Sequence, residues 1–171
     1  MTIETFELND DHAYALAGPI SFLVWRSEAI SVADIRATEA AARAALERYP
    51  TGVGLMAFAQ GATPSREVRQ VSTEINARLH ARGAVGVAAV IGGGVVGAVQ
   101  RGMATGMSLL SSQRYPLEIA HDTTGACRWL GQKLGQRGVP IDPEGTARAI
   151  DEFRQRYLRL GAAVAGGSDD R

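Results

Sequence analysis

The chain has 171 residues, 46% of them hydrophobic and 21% charged, which is the size and apolar content of one domain with its own core. Eighteen basic residues balance eighteen acidic ones, so the positive excess that a phosphate-backbone binder normally carries is absent, which disfavours bulk nucleic-acid binding and leaves room only for a local patch. The single cysteine, Cys127, rules out an internal disulfide and a thiolate metal cluster. The acidic start Met1-Thr2-Ile3-Glu4 lacks a secretory pattern, and the most apolar window, 94–110, holds Gln100 and Arg101, so a cytoplasmic protein without a membrane span is expected.

Three short strands are predicted first, over Thr5 to Leu8, Ala13 to Ala17 and Ile20 to Trp25, separated by the turn compositions Asn9-Asp10-Asp11 and Gly18-Pro19. At least two of them should pair as a hairpin. Ser31 followed by Asp34 has the spacing of a capping box, and a helix runs from Val32 to about Tyr49, ended by Pro50. Its apolar stripe is Val32, Ile35, Ala42, Leu46 and Tyr49, with Glu39 and Arg43 at the supportive four-residue spacing on the wet face. Val53 to Ala59 is a continuous apolar run that suits a strand covered on both sides. Thr63 as cap with Pro64 in the first helical position predicts a second helix, with Val68, Val71, Ile75 and Leu79 on one face and a stop at Gly83.

Ala84 to Ile91 is the next buried strand, and Val95 to Leu110 the next helix. That helix carries a core stripe of Val95, Val99, Met103, Met107 and Leu110, while Gly97, Ala98, Gly102, Ala104, Thr105 and Gly106 stand where a solvated helix carries charge. A second face of it is therefore expected to be covered, by the C-terminal helix or by another subunit. Leu117 to Ala120 is the last strand. The helix after Asp122 should bury Cys127, Trp129, Leu130 and Leu134. Residues 135–141 form a connector, and Pro143 opens a helix with Ile150, Phe153, Tyr157, Leu160 and Val164 at alternating spacings of three and four. That stripe either docks on its own domain or forms a short seam with a second copy.

This alternation of strands and helices predicts an α/β fold: a mixed sheet with an N-terminal hairpin, parallel core strands and packed helices, plus an extra C-terminal helix. Three stretches resemble the SpoIIAA-like (STAS-type) family. They are Ser21-Phe22-Leu23-Val24-Trp25-Arg26 leading to the Ser31 helix, Val87-Ala88-Ala89-Val90-Ile91 before a glycine turn, and Leu117-Glu118-Ile119-Ala120 followed by Ala126-Cys127-Arg128-Trp129-Leu130. The resemblance covers roughly residues 12–134 and implies a SpoIIAA-like domain over 1–136, a linker and C-terminal helix over 137–165, and a disordered tail over 166–171. It further implies a non-enzymatic regulatory or scaffolding module that works through protein contacts. The family's mark is a phosphorylatable serine, preceded by aspartate, at the start of the second helix. The matching place reads Ala62-Thr63-Pro64-Ser65, so Ser65 and Thr63 are the phosphorylation candidates, and the aspartate is missing.

The alternative is a small-molecule or nucleotide-binding protein. Gly92-Gly93-Gly94-Val95-Val96-Gly97 fits the glycine pattern that lets pyrophosphate approach a helix N-terminus, although Arg114 lies near the place where a ribose-binding acid is expected. Loops after the parallel strands should converge at one edge, gathering Thr63, Ser65, Gly92, Gly93, Gly94, His121 and Asp122 as candidate ligand-binding residues. His121 beside Asp122 is the one acid–base pair in reach, with Asp122 equally suited to cap a helix. His12 and His80 read as surface residues and Cys127 as core. Neither a cofactor, a metal nor a catalytic residue is called for. The expected partner is a protein or a second copy of the chain, with Gly102, Gly106, Phe153, Tyr157 and Leu160 as candidate interface residues.

Overall fold

The structure is a computed structural model that describes residues 2–26, 30–59, 64–91 and 115–165. Among these residues six strands form one sheet: β1 (Ile3–Leu8), β2 (His12–Ala17), β3 (Ile20–Trp25), β4 (Val53–Ala59), β5 (Ala84–Ile91) and β6 (Leu117–Ala120), in the spatial order of the chain. β1, β2 and β3 pair antiparallel, and β3 to β6 run parallel. This is the mixed α/β sheet predicted, with the bounds of β3 to β6 unchanged.

Helices α1 (Val32–Arg48) and α2 (Arg66–Ala81) cross from β3 to β4 and from β4 to β5. Each crossover steps one strand in the same direction, and crossovers share one hand, so both helices lie on the same face. There Ile35, Leu46, Ile75 and Leu79 pack on Tyr14, Leu16, Leu23, Leu55 and Val87. The other face is covered by α3 (Thr123–Gly135) and α4 (Pro143–Ala165), which place Leu130, Leu134, Ile150 and Tyr157 on Phe22, Val24, Met56, Phe58 and Val90. The result is a three-layer sandwich with a core on each side of the sheet. Residues from α4 are part of one of those cores.

Local sequence explains the elements. Ser31 and Asp34 close the predicted capping box on α1. α2 starts two residues later than predicted: Ser65, in extended conformation, accepts from the Val68 amide and is the cap, so Pro64 precedes the helix rather than opening it. Glu39, expected beside Arg43, instead takes a two-pronged contact from Arg78 of α2, at 3.1 and 3.0 Å, because the helices lie side by side. Gly83 adopts φ +121°, a conformation that side chains resist, and turns α2 into β5.

The α3/α4 face combines Phe22, Met56 and Phe58 with small residues. β2 reads His-Ala-Tyr-Ala-Leu-Ala, so its period of two sends Tyr14 and Leu16 to one face and Ala13, Ala15 and Ala17 to the other. β5 carries an extra residue against β4, since Val53 faces Ala84 while Gly54 faces Gly86. A side chain at Gly86 would meet the Trp129 ring at 2.6 Å and the Pro116 carbonyl at 3.1 Å, and one at Gly54 would meet Leu130 at 3.1 Å. These two glycines let α3 sit close on the sheet.

Candidate functional site

The C-terminal ends of β3 to β6 define one edge of the sheet, and the predicted ligand residues fall there or outside the described residues. Thr63, Gly92, Gly93 and Gly94 lie outside, as do Gly102, Gly106 and the whole predicted helix 95–110. Ser65 and Asp122 cap helices that lie on opposite faces of the sheet, so they flank the edge from two sides. Asp122 accepts from the Gly125 amide at 2.7 Å, and no hydrogen bond among the described residues joins it to His121, which is exposed. The carboxylate is thus engaged as a cap. Of the interface candidates, Phe153 packs edge-on against Phe22 with centroids 5.4 Å apart and Tyr157 is buried against its own sheet, while Leu160 is 60% exposed.

A polar cluster that the sequence reading missed sits where the β1–β2 turn meets the start of α1. His12 was expected at the surface and is only 6% exposed. Its strand begins one residue earlier than predicted, which puts it on the face of Tyr14 and Leu16; that period of two was the signal available. Asn9 Oδ1 accepts from the amides of Asp11 and His12, so its Nδ2 is left to donate to Glu7 Oε1 at 3.2 Å. His12 Nε2 lies 3.1 Å from the same Glu7 oxygen and 3.0 Å from Asn9 Nδ2, so it donates to the carboxylate in one tautomer and accepts from the amide in the other. Nδ1 is buried without a hydrogen-bond partner, 3.8 Å from Asp34 Oδ1.

Tyr14 Oη donates to the Asp34 carbonyl at 2.7 Å and lies 3.2 Å from Thr38 Oγ1. Burial pushes its phenol up to about 12; the Thr38 contact opposes that and the charges of Asp34 and Glu7 add to it. A phenol so held is neither acid nor nucleophile near neutral pH, and the cluster joins the hairpin to α1. His80, the other histidine expected at the surface, is half-buried with Nδ1 2.7 Å from the Ala84 carbonyl.

On the α3/α4 face the same edge is held by long-range contacts. Thr123 Oγ1 donates to Asp151 at 2.6 Å, Tyr157 Oη donates to the Asn9 carbonyl at 2.9 Å, and Arg26 Nη2 donates to the Tyr157 carbonyl at 2.7 Å. Cys127 lies inside this core as predicted. Burial first, then the charges of Asp151 and Glu144, push its thiol up to about 12, so it is an inert core residue rather than a nucleophile.

A separate cleft of about 420 Å³ opens at the opposite edge, between Pro19 and the first turns of α4, where Asp142, Arg148 and Glu152 line it beside Pro140 and Ile141. Among the described residues no three His, Cys, Asp or Glu side chains gather as a metal set, and no helix is long and apolar enough to cross a membrane. Comparison with protein families, with curated proteins and with solved structures finds no match to this chain.

Proposed function

We propose that the chain is a non-enzymatic regulatory or scaffolding module, of the kind the SpoIIAA-like resemblance implies, and that it works by self-association through the end of α4. One observation carries this reading: α4 is longer than the strands of the sheet it covers. Its 23 residues span about 34 Å, against about 20 to 27 Å for strands of six to eight residues. Among the described side chains Tyr157 is the last of α4 in the core cluster, with Leu158 packed against it, and the helix continues to Ala165.

Beyond Arg159 the sequence Leu160-Gly161-Ala162-Ala163-Val164-Ala165 has no charge. Leu160 is 60% exposed, and Leu8, next to the Asn9 carbonyl that receives Tyr157, is 55% exposed. The two leucines flank one hydrogen bond, one from the strand and one from the following turn of the helix. An uncharged helix end with small residues is suited to pack against its own copy across a twofold axis.

Light scattering on the full chain tests this. The expected result is a particle larger than a monomer that Leu160→Glu reduces to a monomer with an unchanged unfolding temperature. A monomeric wild-type chain would overturn the proposal. Removing the whole helix is not a usable test, because Ile150 and Tyr157 leave the core with it.

A further inference from the structure

The β1–β2 turn and α4 meet at Tyr157, and three hydrogen bonds hold them there. Tyr157 Oη donates to the Asn9 carbonyl at 2.9 Å, Arg26 Nη1 donates to the Asp10 carbonyl at 3.3 Å, and Arg26 Nη2 donates to the Tyr157 carbonyl at 2.7 Å. The Arg26 guanidinium also lies over the Tyr157 ring at 3.9 Å. Turn and helix thus adjoin as one surface, and its two sides carry opposite charge.

The turn side is acidic. Asp10 and Asp11 are exposed, the Asp10 side chain at 95% with its carboxylate 3.9 Å from Arg26, and no lysine or arginine precedes Arg26 in the chain. Leu8 pairs in register with Ala13 of the α3/α4 core, so it stands on the same side of the sheet as α4, and it is 55% exposed. The helix side is basic. From Phe153 to Ala165 the only charged residues are Arg154, Arg156 and Arg159. Arg159 and Leu160 follow Arg156 by three and four residues, so the three share one stripe of the helix, and all are exposed. The Nε atoms of Arg156 and Arg159 donate back to the Glu152 and Gln155 carbonyls, and neither arginine closes an ion pair among the described residues.

We infer that a second copy of the chain docks on this surface about a twofold axis, with Asp10 and Asp11 of each copy against Arg156 and Arg159 of the other and Leu8 and Leu160 between them. The inference rests on the self-association proposed above and names the surface that receives the end of α4. Asp10 and Asp11 close no ion pair with Arg156 or Arg159 inside one chain, so both sides keep their charge open. A twofold axis through the Tyr157 junction sets each side against its opposite. Equal numbers of basic and acidic residues leave no net repulsion between copies.

The test reads self-association of the full chain by sedimentation, in low and in high salt. Wild-type association is expected to weaken by about tenfold between roughly 50 mM and roughly 500 mM sodium chloride, because exposed ion pairs are screened and apolar contacts are not. Two charge variants follow, Asp10→Asn with Asp11→Lys, and Arg156→Glu with Arg159→Glu. Each alone is expected to be a monomer that is folded by circular dichroism. Their equimolar mixture is expected to associate again, since a basic surface then faces an acidic one.

Three results would overturn the inference and leave self-association standing. They are a wild-type dimer that Leu160→Glu dissociates but whose affinity does not fall with salt, charge variants that stay dimeric alone, or folded monomeric variants whose mixture does not associate. If either variant fails to fold, the salt dependence decides. A monomeric wild-type chain would overturn the self-association reading itself, and this inference with it.

Discussion

The two faces of the sheet are covered in different ways. α1 and α2 join neighbouring strands, so their place follows from the chain's local path and the common hand of crossovers. α3 and α4 come after the last strand and return across the sheet, held by contacts between residues far apart in sequence: Tyr157 with Asn9, Arg26 with the Tyr157 carbonyl, and Phe153 with Phe22. Both faces carry large side chains, Tyr14 and Leu16 under α1 and α2, Phe22, Met56 and Phe58 under α3 and α4. On the second face alanines of β2 together with Gly54 and Gly86 let the helices approach. The first face follows from neighbouring elements, while the second depends on contacts closed across the length of the chain.

The largest expected effect is a pair of matched truncations. Ile150→Ala on α4 and Leu79→Ala on α2 should each cost about 3 kcal/mol from a fully buried site, read as a shift of the denaturant midpoint. Equal losses would show that the late-wired helix is as much part of the fold as the crossover helix; a small loss at Ile150 would make α4 an accessory.

Next, Gly86→Ala should cost about 1 to 3 kcal/mol, since the new methyl meets both the Trp129 ring and the Pro116 backbone and neither can yield freely. The same change at Gly135, where nothing lies within 4 Å, should be neutral or slightly stabilising. About 1 kcal/mol is expected for each polar tie: Tyr157→Phe, which deletes the hydrogen bond to Asn9, and Ser31→Ala, which deletes the cap of α1. Native-state hydrogen exchange should then show the first loosening α4 and the second loosening α1.

Smallest at neutral pH is the titration of the two faces. Cys127 on one face and Tyr14 on the other both hold their protons more tightly when folded, with values raised from 9.0 and 10.0 to about 12. The stability they supply is fully present below pH 9 for Cys127 and below pH 10 for Tyr14, and is lost as pH rises toward 12. Cys127→Ala and Tyr14→Phe should each flatten the alkaline fall of the unfolding midpoint, and a thiol reagent at neutral pH should react with Cys127 only on unfolding.

Much of this architecture is legible along the chain. The runs at 20–25, 53–59, 84–91 and 117–120 are apolar and bounded by glycine, proline or a helix cap, so their limits are local facts. The second helix has two competing start signals, Thr63-Pro64 and Ser65, and composition does not rank them. His12 escaped because a strand begun at Ala13 hides the face that His12 shares with Tyr14. The pairing of Glu39 with Arg78 is invisible from within either helix, since the partners are 39 residues apart and meet only when the helices pack.

The candidate site was the less legible part. Ser65, His121 and Asp122 could be placed at the sheet edge from the order of elements, and Asp122 could be named as a cap from its position. Arg26 carries no motif. Its place over the Tyr157 ring and its hydrogen bond to the Tyr157 carbonyl exist only after β3 and α4 have assembled.

The sequence by itself determined the kinds of element, most of their limits and the existence of a mixed sheet, because periodicity, caps and turn residues act over a few positions. Tertiary structure decided that α4 docks on its own sheet and that Glu39 pairs with Arg78 of the neighbouring helix. Those outcomes depend on distances between residues 39 to 148 positions apart, and chain order alone does not specify them.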